Sequence, residues 1–149
     1  MVSRSFSRTV SYALFLLIPC ASASGGEEEA LDRLLNITDG LQSIGEQVLG
    51  EPVTGTLVTG DTLELELSLD RGSMYHVHIY SDSYFNVLDI WLADPAGGTQ
   101  GVAAGDHALI TVYPDSSGTW TLNLLLHEAA SSDTASYAAA VFSRRRYIE

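Results

Sequence analysis

The chain has no lysine. Its basic complement is seven arginines, set against nineteen aspartates and glutamates, for a formal net charge of −12. A field of that sign repels phosphodiester backbones and anionic headgroups, which argues against nucleic acid and membrane surfaces as partners. Cysteine occurs once, as Cys20. An intrachain disulfide is therefore excluded, and so is a metal site built from several thiolates. No hydrophobic run is long enough to cross a bilayer core of about 30 Å as a helix. What remains is an ordinary apolar fraction, 46% of 149 residues, enough for one domain with its own core.

The longest apolar run lies at the start. Arg4 and Arg8 precede Tyr12-Ala-Leu-Phe-Leu-Leu-Ile18, which leads into Pro19-Cys20-Ala21-Ser22-Ala23. A basic start, a short apolar centre and an A-x-A ending are the parts of a secretory signal peptide, here residues 1–23 with cleavage after Ala23. Its removal takes the net charge from −12 to −14 and leaves no cysteine. The expected location is secreted or periplasmic. Leu17-Ile18-Pro19-Cys20 also resembles a lipoprotein box, with Cys20 as the lipidated residue, but Pro19 fits that pattern poorly and lipidation ranks below secretion.

Residues 24–50 carry a helical pattern. Glu27, Glu28 and Glu29 suit a helix N-terminus, where the macrodipole favours negative charge. Ala30, Leu31, Leu34, Leu35, Ile37, Leu41, Ile44 and Val48 then recur at mostly three- and four-residue spacing, one apolar stripe. The pattern predicts a helix from about Glu28 to Leu49, weakened at Gly40 and closed by Gly50 and Pro52. Its stripe is expected to lie across the chain's own sheet; the alternative is an arm for a partner or for self-association.

From residue 51 onward the period changes to two. Leu63, Leu65, Leu67 and Leu69 alternate with Glu64, Glu66 and Ser68, and Tyr75, Val77 and Ile79 alternate with His76, His78 and Tyr80. Such alternation marks strands with one face in a core and one in water. Further strands are expected at 53–58, broken by Gly55, and at 81–93, 100–104, 107–113, 119–127 and 136–142. Turns at Asp94-Pro95-Ala96-Gly97-Gly98 and Pro114-Asp115-Ser116-Ser117-Gly118 separate them. Residues 51–149 therefore read as all-β, an antiparallel β-sandwich or jelly-roll-like domain of about seven to eight strands.

Within this region Gly55-Thr56-Leu57 with Gly60-Asp61, Leu67-Ser68-Leu69 followed by Gly72 and Tyr75, Leu88 to Gly97 (LDIWLADPAG), and Gly118-Thr119-Trp120-Thr121-Leu122 with the Tyr137 strand stand in order. On these residues the chain resembles the bacterial pre-peptidase C-terminal domain, a secreted β-sandwich. It departs after the opening glycine-aspartate step, where Leu63-Glu64-Leu65-Glu66 replaces the family's aspartates and aromatic. The resemblance implies a non-catalytic domain that assists secretion or attachment; the catalytic domain such modules accompany has no counterpart in this sequence.

Chemistry-bearing constellations are few. His76 and His78, two apart on one strand, share a face and offer a pair of metal ligands, with His107 or His127 as a third. The competing reading makes both solvent-side residues of a sheet. Asp82, Asp89, Asp94 and Asp106 have oxygens for calcium, although Asp94 reads better as the cap of the turn before Pro95. No serine or cysteine stands in a recognisable nucleophile context. Glu64 and Glu66 read as the wet side of a strand rather than an acid–base pair. Tyr80, Tyr84, Phe85 and Trp91 cluster in sequence and could stack on sugars. The expected function is non-enzymatic, a binding or accessory role without a cofactor, toward a protein or carbohydrate partner and with self-association possible. The alternative is a small metal-binding protein or metal-dependent hydrolase using His76 and His78.

Overall fold

Leucines on one side of a strand and glutamates on the other need a second apolar layer to cover the leucines, and the structure supplies it with a second sheet. The computed structural model describes residues 6–8, 25–130 and 133–145. The cleavage position after Ala23 and the Cys20 box lie outside the described residues. The elements in order are β1 (Phe6–Arg8), α1 (Gly25–Ser43), β2 (Gln47–Val58), β3 (Thr62–Leu69), β4 (Ser73–Ser81), β5 (Val87–Ala93), β6 (Thr99–Gly105), β7 (His107–Val112), β8 (Gly118–Glu128) and β9 (Thr134–Arg145). One sheet has the order β1-β3-β8-β5-β6 and the other β2-β9-β4-β7. All strand pairings are antiparallel except β1 with β3, which places the short Phe6–Arg8 strand beside Leu63, Glu64 and Leu65. Among the described residues the fold is an all-β sandwich with one helix, as the alternation implies. The strand expected over 81–93 begins only at Val87, because residues 82–86 form a loop closed by hydrogen bonds to Ser83.

The core between the sheets is built from the expected face of each strand. Leu65, Leu67 and Leu69 of β3, Tyr75, Val77 and Ile79 of β4, and Trp120, Leu122, Leu124 and Leu126 of β8 are all buried there. Gly55 does not break its strand. It pairs with Tyr137 across β2 and β9, and the tyrosine ring lies over it, 2.8–3.0 Å from where a Cβ would stand.

A second apolar cluster lies on the opposite face of the β2-β9-β4-β7 sheet. Ala30 and Leu34 of α1 pack on Ala138, Ala140 and Phe142 of β9 and on Tyr80 of β4, with Leu31, Ile37, Leu41 and Val48 at the margin. The helix therefore covers its own domain. Alanines at 138 and 140 let helix and sheet approach closely.

The helix differs from the sequence expectation at its end. It runs through Gly40 without a break and stops at Ser43, and Gln47 already belongs to β2. Gly45 adopts a positive φ of 91°, and Glu46 N donates to Leu41 O while Gly45 N donates to Gln42 O. These bonds satisfy carbonyls that the helix end would leave orphaned. Gly50, expected to close the helix, instead sits at a β2 bulge, where the register shifts between Leu49 and Val53.

Candidate functional site

Because α1 covers the outer face of β4, the alternating side chains His76, His78 and Tyr80 are not a simple wet face. His78 is buried. Its ring packs edge-on to Phe142 at 5.3 Å and stacks with His107 at 5.9 Å. His107 in turn lies flat on Tyr80 at 3.9 Å. Burial, with His107 and His76 nearby, depresses the His78 pKa to about 4, and burial also lowers that of His107. Both imidazoles are neutral at pH 7.

His76 is held at both nitrogens. Nδ1 lies 2.9 Å from Thr111 Oγ1, and Nε2 lies 3.0 Å from Oε1 of the buried Glu46. His76 and His78 have ring centroids 6.5 Å apart and tilted. Among the described residues no group of three His, Cys, Asp or Glu side chains is disposed to hold a metal. His127 lies on β8 of the other sheet, 3.8 Å from Asp89. The four histidines thus divide: 76, 78 and 107 gather beside the helix, and 127 stands apart. Sequence reasoning missed Glu46, whose role follows from the glycine that turns the chain back after α1.

The aspartates divide in the same way. Asp94 caps its own turn, accepting from the backbone N–H groups of Ala96 and Gly98 and from Gln100 Nε2. These bonds hold its carboxyl below the usual range, the Gly98 amide foremost. Asp106 pairs with Arg33 at 2.8 Å. Asp82 accepts from Asn86 Nδ2 at 2.8 Å.

The aromatics named in the sequence separate by exposure. Tyr80 is buried beneath the helix. Trp91 is half-buried on the free face of the other sheet and lines an open groove of about 400 Å³ with Asp89, Thr99 and Val102. Tyr84 and Phe85, at the tip of the β4–β5 loop, are 77% and 80% exposed.

That loop is tied down around them. Ser81 Oγ donates to Ser83 O, Phe85 N donates to Ser83 Oγ, and Asn86 Oδ1 accepts from Ala130 N. Arg33 of α1 donates to Ser81 O and sets its guanidinium 4.1 Å from the Tyr84 ring centroid. A guanidinium stacked on an aromatic face, with its fork satisfied by a carboxylate and a carbonyl, braces the ring from behind. Arg33 gave no signal in the sequence beyond its place on the helix.

No family model matches the chain, and no curated protein matches it. Solved structures do. The periplasmic inhibitor of g-type lysozyme PliG from Aeromonas hydrophila aligns over 96% of this chain and all of its own, at 12% identity and a TM-score of 0.51. The pre-peptidase C-terminal domain of collagenase from Bacillus anthracis aligns over 61% of this chain and 87% of its own, at 16% identity and a TM-score of 0.46. The likeness to pre-peptidase C-terminal domains is a distant resemblance of fold. Among the described residues no helix is long and apolar enough to cross a membrane.

Proposed function

We propose that this chain is a secreted or periplasmic, non-catalytic binding protein, released from its leader after Ala23, whose partner is another protein. The observation that carries the reading is the pair Tyr84 and Phe85, adjacent, 77% and 80% exposed, on a loop fastened to both the helix and the β8–β9 connection. Scattered exposed apolar residues are ordinary, but contiguous aromatics on a braced tip fit the anchors found at the centres of protein interfaces. Holding the rings in place before the encounter reduces the ordering cost of association.

A photo-crosslinking residue placed at Phe85 tests this in the host's secreted or periplasmic fraction. The expected result is a discrete protein adduct, competed away by unlabelled wild-type chain. Adducts no more specific than those from Tyr113, an exposed aromatic at the other end of the sandwich, would overturn it. A g-type lysozyme is the first purified protein to try, because a structural neighbour is described as its inhibitor.

A second reading rests on Trp91. A half-buried indole beside Asp89 and Thr99 in an open groove suits stacking on a sugar ring with polar groups at its edge. Glycan binding lost in Trp91→Ala, with Tyr84 and Phe85 dispensable, would move the site to that groove.

A further inference from the structure

The topology collects one kind of charge around the Tyr84–Phe85 tip. Antiparallel registers place the end of β4, the start of β9, the end of β8 and the start of β5 side by side: Ser81 pairs with Tyr137 and Val87 with Glu128. The start of α1 joins them, because a Cβ on Gly26 would stand 2.7 Å from Asp82 Oδ2. Asp133 closes the group from the β8–β9 connection, where its carbonyl accepts from Thr59 N. Glu28, Glu29, Asp82, Asp106, Glu128 and Asp133 therefore share one end of the sandwich. Among the described residues the arginine at this end is Arg33, and Asp106 matches its charge. Arg71 and Arg144 belong to the opposite end, in the β3–β4 turn and opposite Met74 at the start of β4.

We infer that this end is a docking face for a positively charged protein, with Tyr84 and Phe85 as the anchor that enters a concavity on that partner. The inference rests on the binding role proposed above and adds the partner's charge and shape. Two exposed rings alone select for an apolar hollow and say nothing of charge. A surrounding field of one sign steers encounter with a basic surface and penalises acidic ones. The rim charges act mainly on the association rate and are screened by salt, whereas the rings, desolvated on docking, govern how long the complex lasts.

The test uses the mature chain as bait for a display library of designed ankyrin repeats. Their concave face accepts a protruding loop, and Lys, Arg, Asp and Glu are seeded there at equal frequency. The expected winners carry a net-positive concave face. Against the Tyr84→Ser, Phe85→Ser double variant they lose at least tenfold in affinity, mostly through faster dissociation. Against a Glu29→Gln, Glu128→Gln, Asp133→Asn variant their association slows at least fivefold, and raising salt from 50 to 300 mM slows wild-type association similarly. Urea unfolding midpoints equal to wild type show that the altered residues, all exposed, act on binding and not on folding. Winners that need Tyr84 and Phe85 but show no excess of Lys and Arg would overturn the charge inference and leave the binding role standing. Winners indifferent to both rings would remove both.

Discussion

Glu46 Oε1 stands 3.0 Å from His76 Nε2, with the carboxylate 5% exposed and the imidazole 19%. The contact joins the segment leaving α1 to the outer face of β4, and Thr111 holds the far nitrogen of the same ring. Helix and sheet are thus fastened polar-side as well as through Leu34 and Phe142. Removing the histidine strands a buried carboxylate, whose second oxygen already has no hydrogen-bond partner. His76→Ala is expected to cost roughly 2–4 kcal/mol, more than the loss of one ordinary hydrogen bond. A loss below about 1 kcal/mol in urea unfolding would mean that the pair contributes little to holding the helix.

His78 makes stability depend on pH in a definite direction. Its pKa is about 4 in the folded chain against 6.5 for a free imidazole, so the unfolded state takes up its proton first as pH falls. The stabilisation is complete above about pH 6.5, declines between 6.5 and 4, and is lost below. The depression of His107 acts with the same sign. For His78 alone the change is on the order of 3 kcal/mol. Unfolding free energies at pH 7.5 and 4.5 should therefore differ less in His78→Phe than in wild type. An equal difference would place the titration elsewhere.

Arg33 braces Tyr84 while meeting Asp106 and Ser81 O. Lysine keeps the charge but lacks the planar fork and the stacking surface. Arg33→Lys should leave global stability within about 1 kcal/mol while backbone amide exchange over residues 81–86 quickens. Unchanged exchange there would show that the loop's own hydrogen bonds suffice.

Gly55 is required by its neighbour. A Cβ at this position would meet the Tyr137 ring at 2.8–3.0 Å, and Tyr137 is itself 2% exposed in the core. Gly55→Ala is expected to cost about 1–3 kcal/mol, as overpacked cores do. Measured in a Tyr137→Leu background, which removes the ring atoms that make those approaches, Gly55→Ala should cost markedly less than in wild type. An equal cost would point to backbone strain in β2 instead.

Much of this fold was legible in local pattern. Alternation over residues 63–69 and 75–80 marked both the strands and their inward faces, because side chains point to opposite sides of a strand and burial selects one. Asp94 before Pro95 was readable as a cap, because its partners lie within a few residues. The helix end was misplaced even though Gly45 was in view. Gly45 and Gly50 are both compatible with a stop, and Val48 and Leu49 continue the apolar stripe. The residues that brace the tip, Arg33 and Asn86, were not legible, because their partners lie 48 and 44 positions away.

By itself, then, the sequence determined the strand faces, the turn at Asp94, the apolar side chains that meet between the sheets and the acidic net charge, all of which follow from period, composition and nearest neighbours. Tertiary structure decided what covers each face and what collects at each end. His76 and His78 alternate with apolar residues as solvent-facing side chains do, yet α1 lies against that face, so one is buried neutral and the other is tied to Glu46. Tyr84 and Phe85 are adjacent in any conformation, but only the antiparallel registers and the packing of α1 gather carboxylates from separate segments at their end of the sandwich. The physical reason is that strand periodicity is a property of a few consecutive residues, whereas coverage and charge clustering depend on chain crossings that bring residues about fifty apart into contact.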